Sequence, residues 1–246
     1  LPILSVLGQQ GETDMLCVSF SSTDKIGHKY GTHCQIIQDQ FVDLDKRLAD
    51  FFNYLDQTIG KDEYLVFLTA DHGAANNILM NQKHGIPAGG FFYKQELKDL
   101  NTYLQKKYNT TANLARYIMS YNVVLDHDAI AKAGLKLRTV KNDVVKYFQG
   151  KEYVAYAVNM DRVESATVPA YIKEKMINGY CRKRNGDIQL IMQPGWYEIY
   201  GDKIDEGTTH GAWNPYDAHI PFLMMGWGVK HGKTNHPTYI TDIAAT

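Results

Sequence analysis

The stretch Tyr64-Leu65-Val66-Phe67-Leu68-Thr69-Ala70-Asp71-His72-Gly73 decides how the chain is read. Tyr64 to Thr69 is a continuous apolar and β-branched run, which predicts a strand buried on both faces, and it ends in the polar Asp71-His72-Gly73. Before it, Ile36, Ile37, Phe41, Leu44, Leu48, Phe51, Phe52 and Leu55 recur at helical spacing, which predicts a long amphipathic helix from Gln35 to Leu55. Gly60 to Glu63 is the intervening turn. Earlier still, Met15 to Phe20 reads as another buried strand, and it ends in a polar loop, Ser21 to Asp24. Strand, helix and strand, with apolar strands throughout, predict a βαβ unit in a mostly parallel sheet with helices on both faces, an α/β fold.

After Gly90 the pattern changes. Helical stretches are predicted at Lys94–Tyr108, within Ala129–Phe148 and at Ala170–Ile177. Strands are predicted at Tyr117–Leu125, Tyr153–Val158 and Ile188–Met192. Such alternation suits a small α/β subdomain of its own. The expected organisation is a core over 1–90, an insertion or cap over 91–195, and the core continued over 196–246. Gly195 to Gly207 reads as a return loop, Pro221 to Met225 as a short strand, and Thr241 to Thr246 as the start of a helix.

The 246 residues leave room for one large domain or a core plus an insertion. A composition of 44% hydrophobic and 22% charged residues is that of a globular protein. The net charge of −1 gives no basic surface for a nucleic-acid polymer, and no apolar run is long enough to span a bilayer. Leu1 to Gly8 lacks the basic start and apolar stretch of a signal peptide. Cys17, Cys34 and Cys181 are too few and too widely spaced for a disulfide framework, and Cys17, in an apolar run, is expected to be buried.

Asp24 and His28 follow the first predicted strand, Asp71 and His72 follow the second, and His210 stands in Gly207-Thr208-Thr209-His210-Gly211. In open α/β sheets ligands bind beyond the carboxyl ends of strands. Mixed imidazole and carboxylate donors suit zinc, with manganese as the alternative. Taken singly, each histidine also fits a surface or supporting role, and Asp-Gly and His-Gly pairs are common in turns.

Ser22 to Gly31, Phe67 to Ala74, and Gly207 to Gly211 followed by Tyr216-Asp217-Ala218-His219-Ile220-Pro221 resemble the alkaline phosphatase superfamily. The resemblance is to its bacterial threonine-nucleophile phosphatases, relatives of the nucleotide pyrophosphatase/phosphodiesterases. It runs through most of residues 12–90 and 196–246. It implies that Asp24, His28 and His210 hold one zinc and that Asp71 and His72 hold a second. Asp217 and His219 are then expected to support the ligands without binding metal. The family's nucleophilic threonine or serine is expected upstream of Leu1, so that the chain on its own is expected to be inactive.

The resemblance further implies metal-dependent hydrolysis of small phosphate monoesters through a covalent phospho-enzyme, in a periplasmic or secreted protein. Two other readings share these residues: a phosphodiesterase or nucleotide pyrophosphatase, and a catalytically inactive metal-binding module. A sulfatase fits less well, because its calcium site uses a more oxygen-rich ligand set.

Overall fold

The computed structural model describes residues 7, 8 and 11–244, and these fall into two compact units. The smaller unit comprises the described part of Leu1–Val18 with Leu44–Ala70 and Pro221–Thr246; the larger comprises Ser19–Asp43 and Asp71–Ile220. The readings placed on Leu1 to Val6 and on Ala245 and Thr246 lie outside the described residues.

The larger unit opens with helix α1, Ser22–Tyr30, and with the first turns of α2, Gln35–Thr58. The polar loop expected at Ser21 to Asp24 is thus largely helical: Asp24 in the first turn and His28 in the last suit the helix dipole, a signal the polar sequence hides. Helix α3, Ile78–Lys83, is capped by Asn77, whose side chain accepts the Met80 N–H at 2.9 Å. Strand β2, Gly89–Phe91, pairs in parallel with β7, Trp196–Glu198, a strand within the expected return loop.

The sequence between these two strands forms a separate four-stranded sheet. Its strands are β3 (Ala115–Met119), β4 (Asn122–Leu125), β5 (Val154–Asn159) and β6 (Ile188–Met192), in the order β3-β4-β6-β5 and antiparallel throughout. The strand expected over Tyr117–Leu125 is a hairpin, turned by Ser120 and Tyr121 at φ 48° and 59°. Every residue of β6 is buried. Ile188, Leu190 and Met192 face a core shared with Leu100 and Leu104 of α4 (Tyr93–Tyr108) and with Val140, Val144 and Phe148 of α6 (Leu137–Gln149). Ile191 faces the other way, onto Met160 and Val163 and onto Ile172 and Met176 of α7 (Ala170–Gly179). The alternation along β6 therefore supports helices on both faces. A short helix, α5 (His127–Lys132), is capped by Asp126.

In the smaller unit β1, Leu65–Thr69, pairs with β8, Phe222–Gly226, in antiparallel register from Leu65 opposite Gly226 to Thr69 opposite Phe222. Gly226 is required there: a side chain at its φ of 97° would begin 2.1 Å from the Tyr64 carbonyl oxygen.

Helices and strands combine as the α/β reading expects, and among the described residues the parallel pair is β2 with β7. Two expectations are corrected. Met15 to Phe20 belongs to no strand; with no ladder partner among the described residues, Met15 is 76% exposed and Val18 55%. Cys17, in that run, is exposed. All three cysteines are free, as their spacing indicates.

Candidate metal centre

All five expected ligands belong to the larger unit. Asp24 and His28 stand four residues apart on α1, so that helical geometry puts them on one face. Their Oδ1 and Nε2 atoms are 3.4 Å apart. His28 Nδ1–H donates to the Thr208 carbonyl at 2.9 Å, which leaves the Nε2 lone pair directed at Asp24.

The segment carrying His210 lies flush against α1. The Thr208 N–H donates to the Gly27 carbonyl at 3.2 Å. Only glycine fits at position 207, since a β-carbon there would stand 2.1 Å from the His28 carbonyl oxygen. Asn77 holds the segment from the other side, its amide donating to the carbonyls of Asp205 at 2.9 Å and Gly207 at 2.8 Å. Thr208 Oγ1 donates to the Ala75 carbonyl at 2.5 Å, and Ala75 N–H donates to the Thr209 carbonyl at 3.1 Å. His210 Nε2 is thereby brought to 3.7 Å from Asp24 Oδ1. Asp24, His28 and His210 each direct one donor atom into a common space, the three lying within 4.8 Å of one another. It is the only such three-ligand group among the described residues.

Asp71 and His72 come in from the adjoining loop. His72 Nδ1–H donates to the Gly73 carbonyl at 2.8 Å, and its Nε2 stands 3.5 Å from Asp71 Oδ2. The His72 ring stacks on His210 with centroids 3.4 Å apart and planes 10° from parallel. Two imidazolium rings do not stack at that distance without strong repulsion. Burial, and then the neighbouring His72, hold the His210 pKa below the ordinary histidine value. The neutral ring is also the form that binds a metal. Asp24, His28 and His210 thus converge, while His72 is joined to them through its stacking on His210, and Asp71, its side chain 88% exposed, stands beside His72. Carboxylate and imidazole donors together are the type of set that suits a borderline metal such as zinc.

Asp217, in the short helix α8 (Pro215–Ala218), is 4% exposed. Its Oδ2 accepts the Ala212 N–H at 2.6 Å and its backbone carbonyl accepts the Gly73 N–H at 2.7 Å. Burial pushes its carboxyl up to about 6, against the backbone donors that favour the charge. His219 is exposed and, among the described residues, its side chain makes no hydrogen bond or ion pair. Of the two expected supporting residues, then, only Asp217 is built into the loops of the centre. Asn77, Asp205 and Thr208 also support the centre, although the motifs do not single them out. Only Asn77 carries a signal, as a capping residue before a short apolar run.

The family model for type I phosphodiesterase / nucleotide pyrophosphatase matches residues 3–216. The chain is 42% identical over 240 residues to alkaline phosphatase PafA of Elizabethkingia meningoseptica, covering 98% of this chain and 43% of that protein. It is 44% identical over 242 residues to alkaline phosphatase PhoV of Synechococcus elongatus, covering 98% and 42%. The crystal structure of wild-type PafA superimposes with a TM-score of 0.84 at 42% identity, over 91% of this chain and 42% of that one. The chain spans about two fifths of the length of the curated relatives it matches.

Proposed function

Because the chain belongs to the type I phosphodiesterase / nucleotide pyrophosphatase family, we propose that the protein hydrolyses small phosphate monoesters at a zinc centre. Asp24, His28 and His210 hold one metal in this reading, with Asp71 and His72 as ligands to a second. The observation that carries it is the convergence of the Asp24, His28 and His210 donor atoms, within 4.8 Å of one another. Zinc bound there supplies Lewis-acid charge at the oxygens of the ester.

What the chain's own residues do follows from their bonds. The Thr208 and Gly73 carbonyls each take the Nδ1 proton of a histidine, His28 and His72, and so present the Nε2 lone pairs outward. Lowered basicity keeps His210 free of a proton that would compete with the metal. Asp24 and Asp71 supply the negative charge that balances the cations. In the proposed cycle a threonine or serine hydroxyl attacks phosphorus, the alcohol departs, and water releases phosphate from the enzyme.

The partition into core segments 1–90 and 196–246 with an insertion at 91–195 goes with this reading. It is supported by the four-stranded sheet, whose strands all fall between Ala115 and Met192. We also place the protein in the periplasm or outside the cell, as the sequence resemblance implies; among the described residues no helix is long and apolar enough to cross a membrane. Cell fractionation that finds the protein only in the cytoplasm would refute the placement.

A diesterase reading stays in view because the family is described by its phosphodiesterases, whereas the relatives above are named as alkaline phosphatases. The deciding experiment compares kcat/KM of the full-length protein on 4-nitrophenyl phosphate and bis(4-nitrophenyl) phosphate with zinc. We expect the monoester to be the better substrate and chelator to abolish turnover. Preference for the diester would favour the second reading, and turnover unaffected by chelator would defeat both.

A further inference from the structure

We propose that Asp217 is a positioning residue that ties the His72 loop to the His210 loop and so sets the spacing of the metal ligands. This deepens the function proposed above and rests on it.

The tie is made by one residue in two directions. Through its side chain, Asp217 Oδ2 holds the Ala212 N–H at 2.6 Å, two residues beyond His210. This is a short bond to a carboxylate, the stronger class of hydrogen bond. Through its backbone carbonyl it holds the Gly73 N–H at 2.7 Å, one residue beyond His72. The approach is close enough that position 73 tolerates only glycine, since a β-carbon there would lie 2.0 Å from the Tyr216 carbonyl oxygen. The two loops tied in this way carry the rings that stack at 3.4 Å.

A tie is useful only if its own support is firm. The segment from His210 to Asp217 is pinned on either side. Trp213 packs against the cluster of Val158, Met160, Ile172 and Ile191. Tyr216 packs against the cluster of Ala75, Ile78 and Tyr197, and its hydroxyl oxygen accepts the Gly195 N–H at 3.2 Å and the Asn214 amide at 2.9 Å. The packing of these two aromatics fixes where Asp217 stands.

The chemistry of the residue argues for a role beyond packing. Asp217 Oδ1 is buried with no hydrogen-bond partner in the structure. Burying a carboxylate is costly unless its hydrogen bonds offset the cost, and the bond that does so here runs to the loop that carries His210. Substitutions of residues supporting metal ligands typically weaken metal binding about 10–100-fold.

The test uses the whole chain with Asp217→Ala and Asp217→Asn, and two readouts. One is zinc affinity by competition with a chromophoric chelator. The other is the set of histidine side-chain resonances of the metal-free protein. The alanine variant is expected to bind zinc about 10–100-fold more weakly, to shift the resonances of His72 and His210, and to leave that of His127 in place. Asparagine keeps an acceptor for the Ala212 N–H and should return both readouts most of the way to those of the parent. Should the alanine variant not fold, Asp217→Ser, too short to reach that N–H, is read in the same way. Zinc affinity and histidine resonances unchanged in the alanine or serine variant would overturn the proposal. A parent chain that binds no zinc would contradict the metal reading itself, and the histidine resonances would then still decide whether Asp217 makes the tie.

Discussion

Strands β6 and β1 are alike as sequence and opposite as structure. Ile188–Met192 and Leu65–Thr69 are both five-residue strands made almost wholly of apolar residues. In the larger unit all of β6 is buried between two layers of helix. In the smaller unit Leu65 is 47% exposed and Phe67 39%, and on the paired strand Leu223 is 62% exposed. An apolar run thus states what a segment is suited to bury, while the cover comes from elements far away in sequence. Helices α4, α6 and α7 provide it for β6.

The widest gap between the two units should appear in hydrogen exchange. In the 246-residue chain taken by itself, amides of β5 and β6 should exchange only through global unfolding, on the order of 5–15 kcal/mol for a domain, and those of β1 and β8 through local opening at a small fraction of that. Equal protection in both pairs would erase the contrast. Next in size, Leu190→Ala removes a side chain that is 0% exposed and should cost about 2–5 kcal/mol in denaturant unfolding. Leu223→Ala, at a position 62% exposed, should stay within about 0.5 kcal/mol.

A smaller effect is expected at the polar lock of the larger unit. Buried Lys141 donates to Asp161 at 2.6 Å and to Asp187 at 2.9 Å, and Asp187 also accepts the Leu125 N–H at 2.8 Å and pairs with His127 at 2.8 Å. Burial raises the Asp187 pKa, but Lys141, the Leu125 N–H and His127 outweigh it and hold it below the usual carboxylate value. The carboxylate therefore binds fewer protons in the folded state than in the unfolded one. Its contribution is present above the unfolded value, near 4 (roughly, as for a free aspartate), and is lost as the pH falls through the lower folded value. Asp187→Asn should cost about 1–3 kcal/mol at neutral pH and flatten the acid limb of the stability curve; an unchanged limb would assign that limb to other groups. Least affected should be Arg116→Ala, which removes a partly exposed ion pair with Asp126 at 3.3 Å and should change stability by no more than about 1 kcal/mol.

Much of the fold is legible in the sequence, and the failures have physical causes. The helices beginning at Gln35 and Ala170 and the strand Ile188–Met192 follow from apolar spacing alone. Strand β7 does not, because three residues are too few for a period to show. The hairpin of β3 and β4 reads as one strand because Ser120 and Tyr121 take positive φ without the glycine or asparagine that announces such a turn. Pairing direction is invisible, since it depends on which distant segment arrives beside a strand.

At the centre, the residue types are legible from the motifs and the meeting of Asp24, His28 and His210 from the resemblance, but not how the fold brings that meeting about. That needs Gly207 against α1 and the Asn77 amide on the loop carbonyls, contacts between segments more than a hundred residues apart. Asp217 and His219 are equivalent as sequence, two residues apart in one motif, yet one is buried on the Ala212 N–H and the other is exposed.

The central claim is that Asp24, His28 and His210 form a metal centre, and titration of the metal-free chain with zinc by calorimetry tests it most directly. The parent should bind zinc, and Asp24→Ala, His28→Ala and His210→Ala should each abolish or sharply weaken the same binding step while the variants stay folded. Zinc bound by all three variants with the affinity and stoichiometry of the parent would contradict the account.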